Sequence, residues 1–288
     1  MQTLKQQLAI LYGKTIKAIK KLFGYQIGLI KPLKALHLYL TKNLKTRTAN
    51  VMGHTMFLDR NDDLSLSING EFEPMETSIV KKMVKPGDYV IDIGANIGYY
   101  TLIMAKLVGE TGKVFAFEPD PENVELLKKN VEYNGYKNVV IFPYAVSDQE
   151  GAIKLYLSDT RHADNRIYDF GDGRKSIDIK AVRVDDMIAD RIDFIKMDIE
   201  GSEIGAIKGM KRILRDNNLS IISEFWPQGI KKFGYSAQEF LDILENLGYS
   251  FADANEETLK IDIVDKEYLL NKYKETEDVH TNILCFKE

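Results

Sequence analysis

The segment Val90-Ile-Asp-Ile-Gly-Ala-Asn-Ile-Gly98 joins a short apolar run to a helical run of residues. Its apolar side chains are typical of a buried strand, and the strand is expected to end at Asp92, before a tight turn. Glycines such as Gly94 and Gly98 let the backbone of a turn approach a ligand closely. In open α/β sheets, ligands lie outside the carboxyl ends of the strands. We therefore predict a small-molecule site at this turn.

Strand and helix patterns alternate on both sides of this segment. Strands are predicted at residues 88–93, 113–118, 138–142, 193–198, 220–225, 249–253 and 282–286. Helices are predicted at residues 99–107, 121–133, 202–214 and 237–247, and a β-insertion at 152–157 and 177–184. This alternation predicts an α/β protein with a Rossmann-like, doubly wound, mostly parallel sheet of about seven strands.

Glu118 ends the second of these strands, where a carboxylate can accept hydrogen bonds from both hydroxyls of a ribose. The glycines of the first turn are spaced G-x-x-x-G, whereas a dinucleotide site needs G-x-G-x-x-G to hold a pyrophosphate. The two features together predict a nucleoside-bearing cofactor without a pyrophosphate. The alternative is that Asp92 and Glu118 are helix-capping acids of an unrelated sheet.

Residues 88–225 resemble the FkbM-type class I methyltransferases, which use S-adenosylmethionine. The similarity rests on VIDIGANIGYYT (90–101), VFAFEPDP (114–121), AVSD (145–148), DFIKMDIEGSE (193–203) and ISEF (222–225). The resemblance implies that the amino-acid end of S-adenosylmethionine is surrounded by Asp92, Gly94, Asn96 and Gly98. It also implies that Glu118 holds the ribose and that the turn from Ala145 to Asp148 borders the adenine.

Asp198 and Glu200 are the strongest candidates for catalysis. A sulfonium methyl is already activated, so the protein must mainly position an acceptor and remove a proton from an attacking hydroxyl. We expect either carboxylate to orient the acceptor or act as general base. The pair could instead hold a divalent metal such as Mg²⁺, but two acids alone are a weak signal, and no metal site is predicted. Glu203 is expected to be structural, because an acid in the first turn of a helix interacts favourably with the helix dipole.

Four further residues are candidates around the acceptor. His162 could be the general base, because its ordinary pKa lies near neutrality, although a lone loop histidine is more often only solvated. Arg166 could bind a carboxylate or phosphate of the acceptor. Glu224 is a second carboxylate candidate for the cleft. Trp226 could stack on a sugar ring or cap the core.

Composition and charge limit the classes of function. The chain has 288 residues, with 44% hydrophobic and 28% charged, which is an ordinary globular composition. Residues 1–58 contain ten Lys or Arg and no Asp or Glu, while the remainder holds 29 basic and all 43 acidic residues. Nucleic-acid binding by residues 59–288 is not expected, because their acidic surface would repel the phosphate backbone. The single cysteine, Cys285, is consistent with a cytoplasmic location.

The basic segment 1–58 is predicted to be a partly amphipathic helical extension of a methyltransferase domain at 59–288. Apolar residues at helical spacing form a stripe from Leu4 to Phe23, with lysines beside it. The stripe could pack on the domain, form a homodimer through residues 1–30, or contact an anionic membrane. The last option would place the protein at the inner face of the membrane.

The resemblance to the FkbM-type enzymes, together with these residues, implies an S-adenosylmethionine-dependent O-methyltransferase that acts on a hydroxyl of a sugar, glycan or secondary metabolite. An NAD-dependent oxidoreductase is the second hypothesis, and the glycine spacing disfavours it. A non-catalytic cofactor-binding or membrane-tethered scaffold is the third. The acids that follow the strand at 193–198 argue against a scaffold.

Overall fold

The computed structural model describes residues 3–23, 39–40, 43–159, 164–256 and 258–287. Contacts divide the chain into two compact units, Met1–Phe72 and Glu73–Glu288. This division falls later than the predicted boundary between residues 58 and 59, because a short helix at Leu66–Asn69 packs against the N-terminal helix. No helix within the described ranges is long and apolar enough to cross a membrane.

The first unit is built on one long helix. It holds α1 (Leu4–Phe23), the antiparallel hairpin β1 (Thr48–Val51) and β2 (His54–Phe57), and α2 (Leu66–Asn69). Helix α1 lies so close to α2 that a Cβ at Gly13 would be 1.9 Å from the carbonyl oxygen of Ile68. The Asp62 carboxylate accepts the N–H groups of Leu66 and Ser67 at 2.8 and 3.0 Å, which satisfies backbone donors at the start of α2.

The second unit alternates strands and helices as predicted. Its helices are α3 (Pro74–Met83), α4 (Tyr99–Val108), α5 (Pro121–Tyr133), α6 (Val184–Met187), α7 (Glu203–Gly209), α8 (Lys211–Asp216), α9 (Pro227–Lys232), α10 (Ala237–Asn246) and α11 (Lys266–Lys272). Its strands are β3 (Tyr89–Ile93), β4 (Lys113–Phe117), β5 (Val139–Phe142), β6 (Ala145–Val146), β7 (Gly151–Tyr156), β8 (Ser176–Val182), β9 (Phe194–Met197), β10 (Ser220–Phe225), β11 (Ser250–Asn255), β12 (Lys260–Val264) and β13 (Thr281–Phe286).

Among the residues described, the main sheet has eight strands in the order β12-β11-β13-β10-β9-β3-β4-β5. Neighbours from β10 to β5 are parallel, whereas β13 runs antiparallel to both β10 and β11. The predicted α/β fold is therefore confirmed, with one more strand than expected. That strand is the edge strand β12. Its Ile261 and Ile263 alternate with polar residues as in a strand, but the run is only five residues long and both side chains are exposed.

The register of the central strands brings three loops to one edge of the sheet. Ile93 pairs with Phe117 on one side and with Met197 on the other, so β3, β4 and β9 end level with one another. The loops that follow begin at Gly94, Glu118 and Asp198. Each contains residues predicted for the site.

Candidate active site

The glycine turn after β3 packs directly against the residue that follows β9. Gly94 has a φ of +79°, and a Cβ at this position would lie 1.9 Å from the backbone oxygen of Asp198. The N–H groups of Gly94 and Ala95 both donate to the carbonyl of Phe117 at 3.0 Å. Only glycine fits here, because both the space and the backbone angle exclude a side chain.

Asn96 and Gly98 complete the turn in left-handed conformations, with φ of +50° and +94°. The Asn96 side chain accepts the N–H of Ile97 at 2.7 Å, a local bond that helps asparagine tolerate this conformation. A Cβ at Gly98 would come 2.7 Å from Cδ1 of Leu127 on α5. The turn therefore places its backbone close to two neighbouring elements and leads directly into α4.

Asp92 is fully buried at the end of β3. Its Oδ2 accepts a hydrogen bond of 2.5 Å from the Thr101 hydroxyl, while its Oδ1 has no partner among the described residues. Burial raises the pKa of Asp92, and the charge of Lys196 opposes that rise. A buried carboxylate oxygen without a donor is a strong acceptor for a ligand N–H group.

Glu118 links the turns after β3 and β4. Its Oε2 accepts the N–H of Asn96 at 2.8 Å, and its Oε1 accepts the N–H of Asp120 at 2.9 Å. The Asn123 amide lies 3.4 Å from the same Oε1. Burial raises the pKa of Glu118 to about 7, although these backbone donors oppose the shift. The carboxylate keeps lone pairs for further donors.

Ala145 and Asp148 lie at the start of a separate three-stranded sheet, ordered β6-β8-β7. Ala145 is buried in its small core, and Asp148 accepts a bond of 3.3 Å from the Ser147 hydroxyl. The Ser147 carbonyl packs closely against α7: a Cβ at Gly209 would lie 2.0 Å from its oxygen. The role of this turn beside an adenine stays a prediction.

Lys196 is the buried cation beside the candidate base. It is 2% exposed, and its Nζ lies 3.3 Å from Oδ2 of Asp198 and 4.8 Å from the centre of the Tyr100 ring. Burial alone would lower the pKa of Lys196, but the carboxylates of Asp198 and Glu76 raise it above its ordinary value. Lys196 therefore stays charged and orients Asp198.

Glu73 and Glu76 belong to this group of charges, and sequence reasoning missed them. Glu76 is buried, and its Oε2 accepts the Asn282 amide of β13 at 3.0 Å. Burial, and then the charge of Glu73, raise the pKa of Glu76 well above its ordinary value. Glu76 shares a helical face with the buried Ile79 and Val80. An acid on an apolar helical stripe was the available signal.

Glu200 and Glu203 shape the loop between β9 and α7. Glu200 has a φ of +57°, and its carbonyl accepts the Tyr168 hydroxyl at 2.8 Å. Oε1 of Glu203 accepts the N–H groups of Ile199 and Gly201 at 3.0 and 3.3 Å. Glu203 therefore holds the backbone that presents Asp198 and Glu200.

Glu224 lies on β10 opposite Asn282 of β13. Its Oε2 is buried without a hydrogen-bond partner in the described part of the chain. Burial raises the pKa of Glu224 well above its ordinary value, and the nearby charges of Glu200 and Asp198 raise it further. The structure thus brings Glu224 into the electrostatic environment of both candidate bases.

Trp226 and Arg166 make internal contacts around Phe170. The Trp226 ring stacks on Phe170 with a centroid distance of 6.0 Å, and its Nε1 donates to Asp278 at 3.1 Å. The buried Arg166 guanidinium lies 4.3 Å from the Phe170 ring centre and pairs with Asp172. This pairing reduces the charge that Arg166 offers an anionic acceptor. The acceptor-binding roles of both residues stay predictions.

Two further predictions concern His162 and a metal ion. His162 lies outside the described residues, so its proposed role as a base stays a prediction. Within the described ranges, no group of three or more His, Cys, Asp or Glu is arranged to hold a metal ion.

Glu203 leads to a prediction on stability. Burial raises the pKa of Glu203 to about 7, so the stability it contributes is complete below its ordinary pKa and is lost as the pH rises through about 7. We compare the free energy of unfolding of Glu203→Gln with that of the wild type at each pH. We expect this difference to shift by about 2 kcal/mol in favour of the variant between pH 5 and pH 8. Urea unfolding at both pH values measures this. The exposed Glu132→Gln should show no such change, and equal differences at both pH values would contradict the prediction.

The part of the chain that holds these residues is similar to known methyltransferases. A model of the methyltransferase FkbM domain matches residues 92–251, which is more than half of the chain. The methyltransferase sdnD of Sordaria araneosa is 26% identical over 179 residues, covering 50% of this chain and 68% of that protein. The hexuronic acid methyltransferase AglP of Haloferax volcanii is 27% identical over 140 residues, covering 47% of this chain and 55% of AglP.

A solved structure of an FkbM methyltransferase from Methylobacillus flagellatus is also similar. It has a TM-score of 0.44 and 16% identity, and the match covers 77% of this chain and 52% of that chain. The chain thus spans little more than half the length of AglP and of the solved protein. Since the family model covers more than half of the sequence, including the loops after β3, β4 and β9, the chain belongs to the FkbM methyltransferase family.

Proposed function

We propose that this methyltransferase uses S-adenosylmethionine to methylate a hydroxyl oxygen of a sugar, glycan or secondary metabolite. The observation that carries the proposal is the contact between Gly94 and Asp198, where a Cβ would lie 1.9 Å from a backbone oxygen. It supports a site in which a methyl donor at the glycine turn adjoins an acceptor-side carboxylate. A sugar acceptor also agrees with the similarity to AglP, named a hexuronic acid methyltransferase.

The hydrogen-bond acceptors at the turn fit this cofactor. Glu118 has remaining acceptor capacity for ribose hydroxyls at the end of β4, and Oδ1 of Asp92 lacks a donor that an ammonium group would supply. Gly94, Asn96 and Gly98 would surround the amino-acid end, and the turn at 145–148 would border the adenine. When bound, the cofactor supplies a methyl group activated on a sulfonium.

The protein's own part in the reaction is to position the acceptor and take its proton. As the acceptor oxygen gains the methyl group, its hydroxyl proton passes to Asp198 or Glu200. Lys196 orients Asp198 through their contact of 3.3 Å. Glu224, whose Oε2 has no partner in the described ranges, is a second group able to hold the acceptor.

Calorimetry and product analysis test the proposal. S-adenosylmethionine and S-adenosylhomocysteine should bind, and NAD should bind much more weakly. Tighter binding of NAD would favour the oxidoreductase hypothesis instead. With methyl-labelled cofactor and a panel of sugars, nucleotide sugars and hydroxylated metabolites, the product should be a methyl ether. Label on nitrogen or carbon, or tight binding without turnover on any acceptor, would contradict the proposal.

Glu118 should make cofactor affinity depend on pH. Its pKa of about 7 means that half of the carboxylate is protonated near neutrality, while ribose hydroxyls donate best to the ionised form. We expect affinity to be full above about pH 8 and to fall, by up to about tenfold per pH unit, below pH 7. Glu118→Gln should weaken binding by about 1–3 kcal/mol at high pH and flatten this dependence. Calorimetry across the range checks both effects, and an unchanged pH profile in the variant would contradict them.

A further inference from the structure

Helix α1 exposes an apolar stripe to solvent. Leu4, Leu8 and Leu11 are 73%, 46% and 61% exposed. Their spacing of four and three residues places all three on one face of the helix. Adjacent leucines exposed to this extent are typical of an interaction surface.

The opposite face of α1 is already used within its own unit. Ala9 is fully buried, and Gly13 lies against the backbone of Ile68. The Gln6 amide donates to the carbonyl and hydroxyl oxygens of Thr48, both at 3.0 Å. The stripe is therefore not the face that holds α1 in this unit.

The positive charge around the stripe favours an anionic partner. Lys5 and Lys14 are exposed on the same helix, and residues 1–58 contain ten Lys or Arg and no Asp or Glu. A second copy that docked through its own stripe would bring the same positive charge against this face. An anionic lipid surface would neutralise that charge and would also accept the leucines among its acyl chains.

We propose that α1 is a peripheral membrane anchor that lies in the interface of an anionic bilayer. Leu4, Leu8 and Leu11 enter the boundary between headgroups and acyl chains, while Lys5 and Lys14 contact anionic headgroups. The anchor does not depend on which acceptor the enzyme methylates.

Cosedimentation of the full chain with vesicles tests this proposal. Vesicles of phosphatidylcholine mixed with phosphatidylglycerol should bind the protein at low salt, and pure phosphatidylcholine should bind it much less. The triple variant Leu4→Ser, Leu8→Ser, Leu11→Ser should bind at least about tenfold more weakly. Lys5→Glu with Lys14→Glu should reduce binding by about 25-fold or more, since each lost lysine near the surface accounts for about fivefold.

Matched variants in the second unit separate this anchor from general stickiness. Ile261→Ser with Ile263→Ser removes two exposed apolar side chains of β12, and Lys106→Glu with Lys137→Glu makes the same change in charge. Both should bind vesicles like the wild type. All variants should keep wild-type affinity for S-adenosylhomocysteine, the probe that reports an intact second unit.

Three results would overturn the proposal. One is no binding of the full chain to anionic vesicles at low salt. Another is an equal loss of binding in the control variants. The third is a dimer, seen by sedimentation equilibrium, that the triple leucine variant dissociates, because the stripe would then be the contact between two copies.

Discussion

Gly94→Ala is expected to lower the free energy of unfolding by more than about 3 kcal/mol and to abolish measurable cofactor binding. The new Cβ would stand 1.9 Å from the backbone oxygen of Asp198. That oxygen cannot move aside alone, because the N–H of Asp198 donates to the Ile93 carbonyl at 3.0 Å and holds the ends of β3 and β9 together. A φ of +79° adds about 1–2 kcal/mol of strain for any side chain.

Gly135→Ala is the matched control for this substitution. Gly135 follows α5 and has nearly the same backbone angle, with a φ of +76°, but a Cβ there would meet nothing within 4 Å. It should lose only about 1–2 kcal/mol and keep wild-type affinity for S-adenosylhomocysteine. Urea unfolding and calorimetry on both variants make the comparison. Equal losses of stability would show that the turn does not depend on its contact with Asp198.

Asp198→Asn should lower turnover by about 100- to 10,000-fold while changing the dissociation constant of the cofactor less than about threefold. The amide keeps the shape of the side chain but cannot take a proton from the acceptor. The fold should survive, because Lys196 still has the carboxylates of Glu76 and Asp92 to balance its charge. Glu200→Gln in parallel tests the second candidate base.

Asp178→Asn is the control for the loss of one carboxylate. Asp178 lies on β8 and forms an exposed ion pair of 2.8 Å with Lys154. It should leave turnover unchanged. If Asp198→Asn and Glu200→Gln both have wild-type turnover, neither residue is the base. Turnover is then measured for Glu224→Gln and His162→Ala. Activity lost in a chelator and restored by magnesium would instead favour a metal-assisted reaction.

Most of the central sheet could be predicted from local sequence patterns. The buried runs before Gly94 and Glu118 have the apolar composition of central parallel strands, and the glycines between them have the turn chemistry that the structure shows. These signals lie within a few residues of one another, so no knowledge of distant contacts was needed. The edge strand β12 escaped prediction because it is only five residues long, and the two apolar side chains that alternate along it, Ile261 and Ile263, are exposed.

The sequence by itself predicted the alternating strands and helices around the glycine turn, the turn itself and the acids that follow β4 and β9, but it missed α3, α9, α11 and β12. Only the tertiary structure decided which charges share the site. The Asn282 amide meets the Glu76 carboxylate across a separation of 206 residues, and Glu224 lies opposite Asn282 because β10 pairs with β13. Such contacts depend on which strands become neighbours in the sheet. Periodicity and turn chemistry act over a few residues, whereas burial and charge pairing act across the whole folded unit.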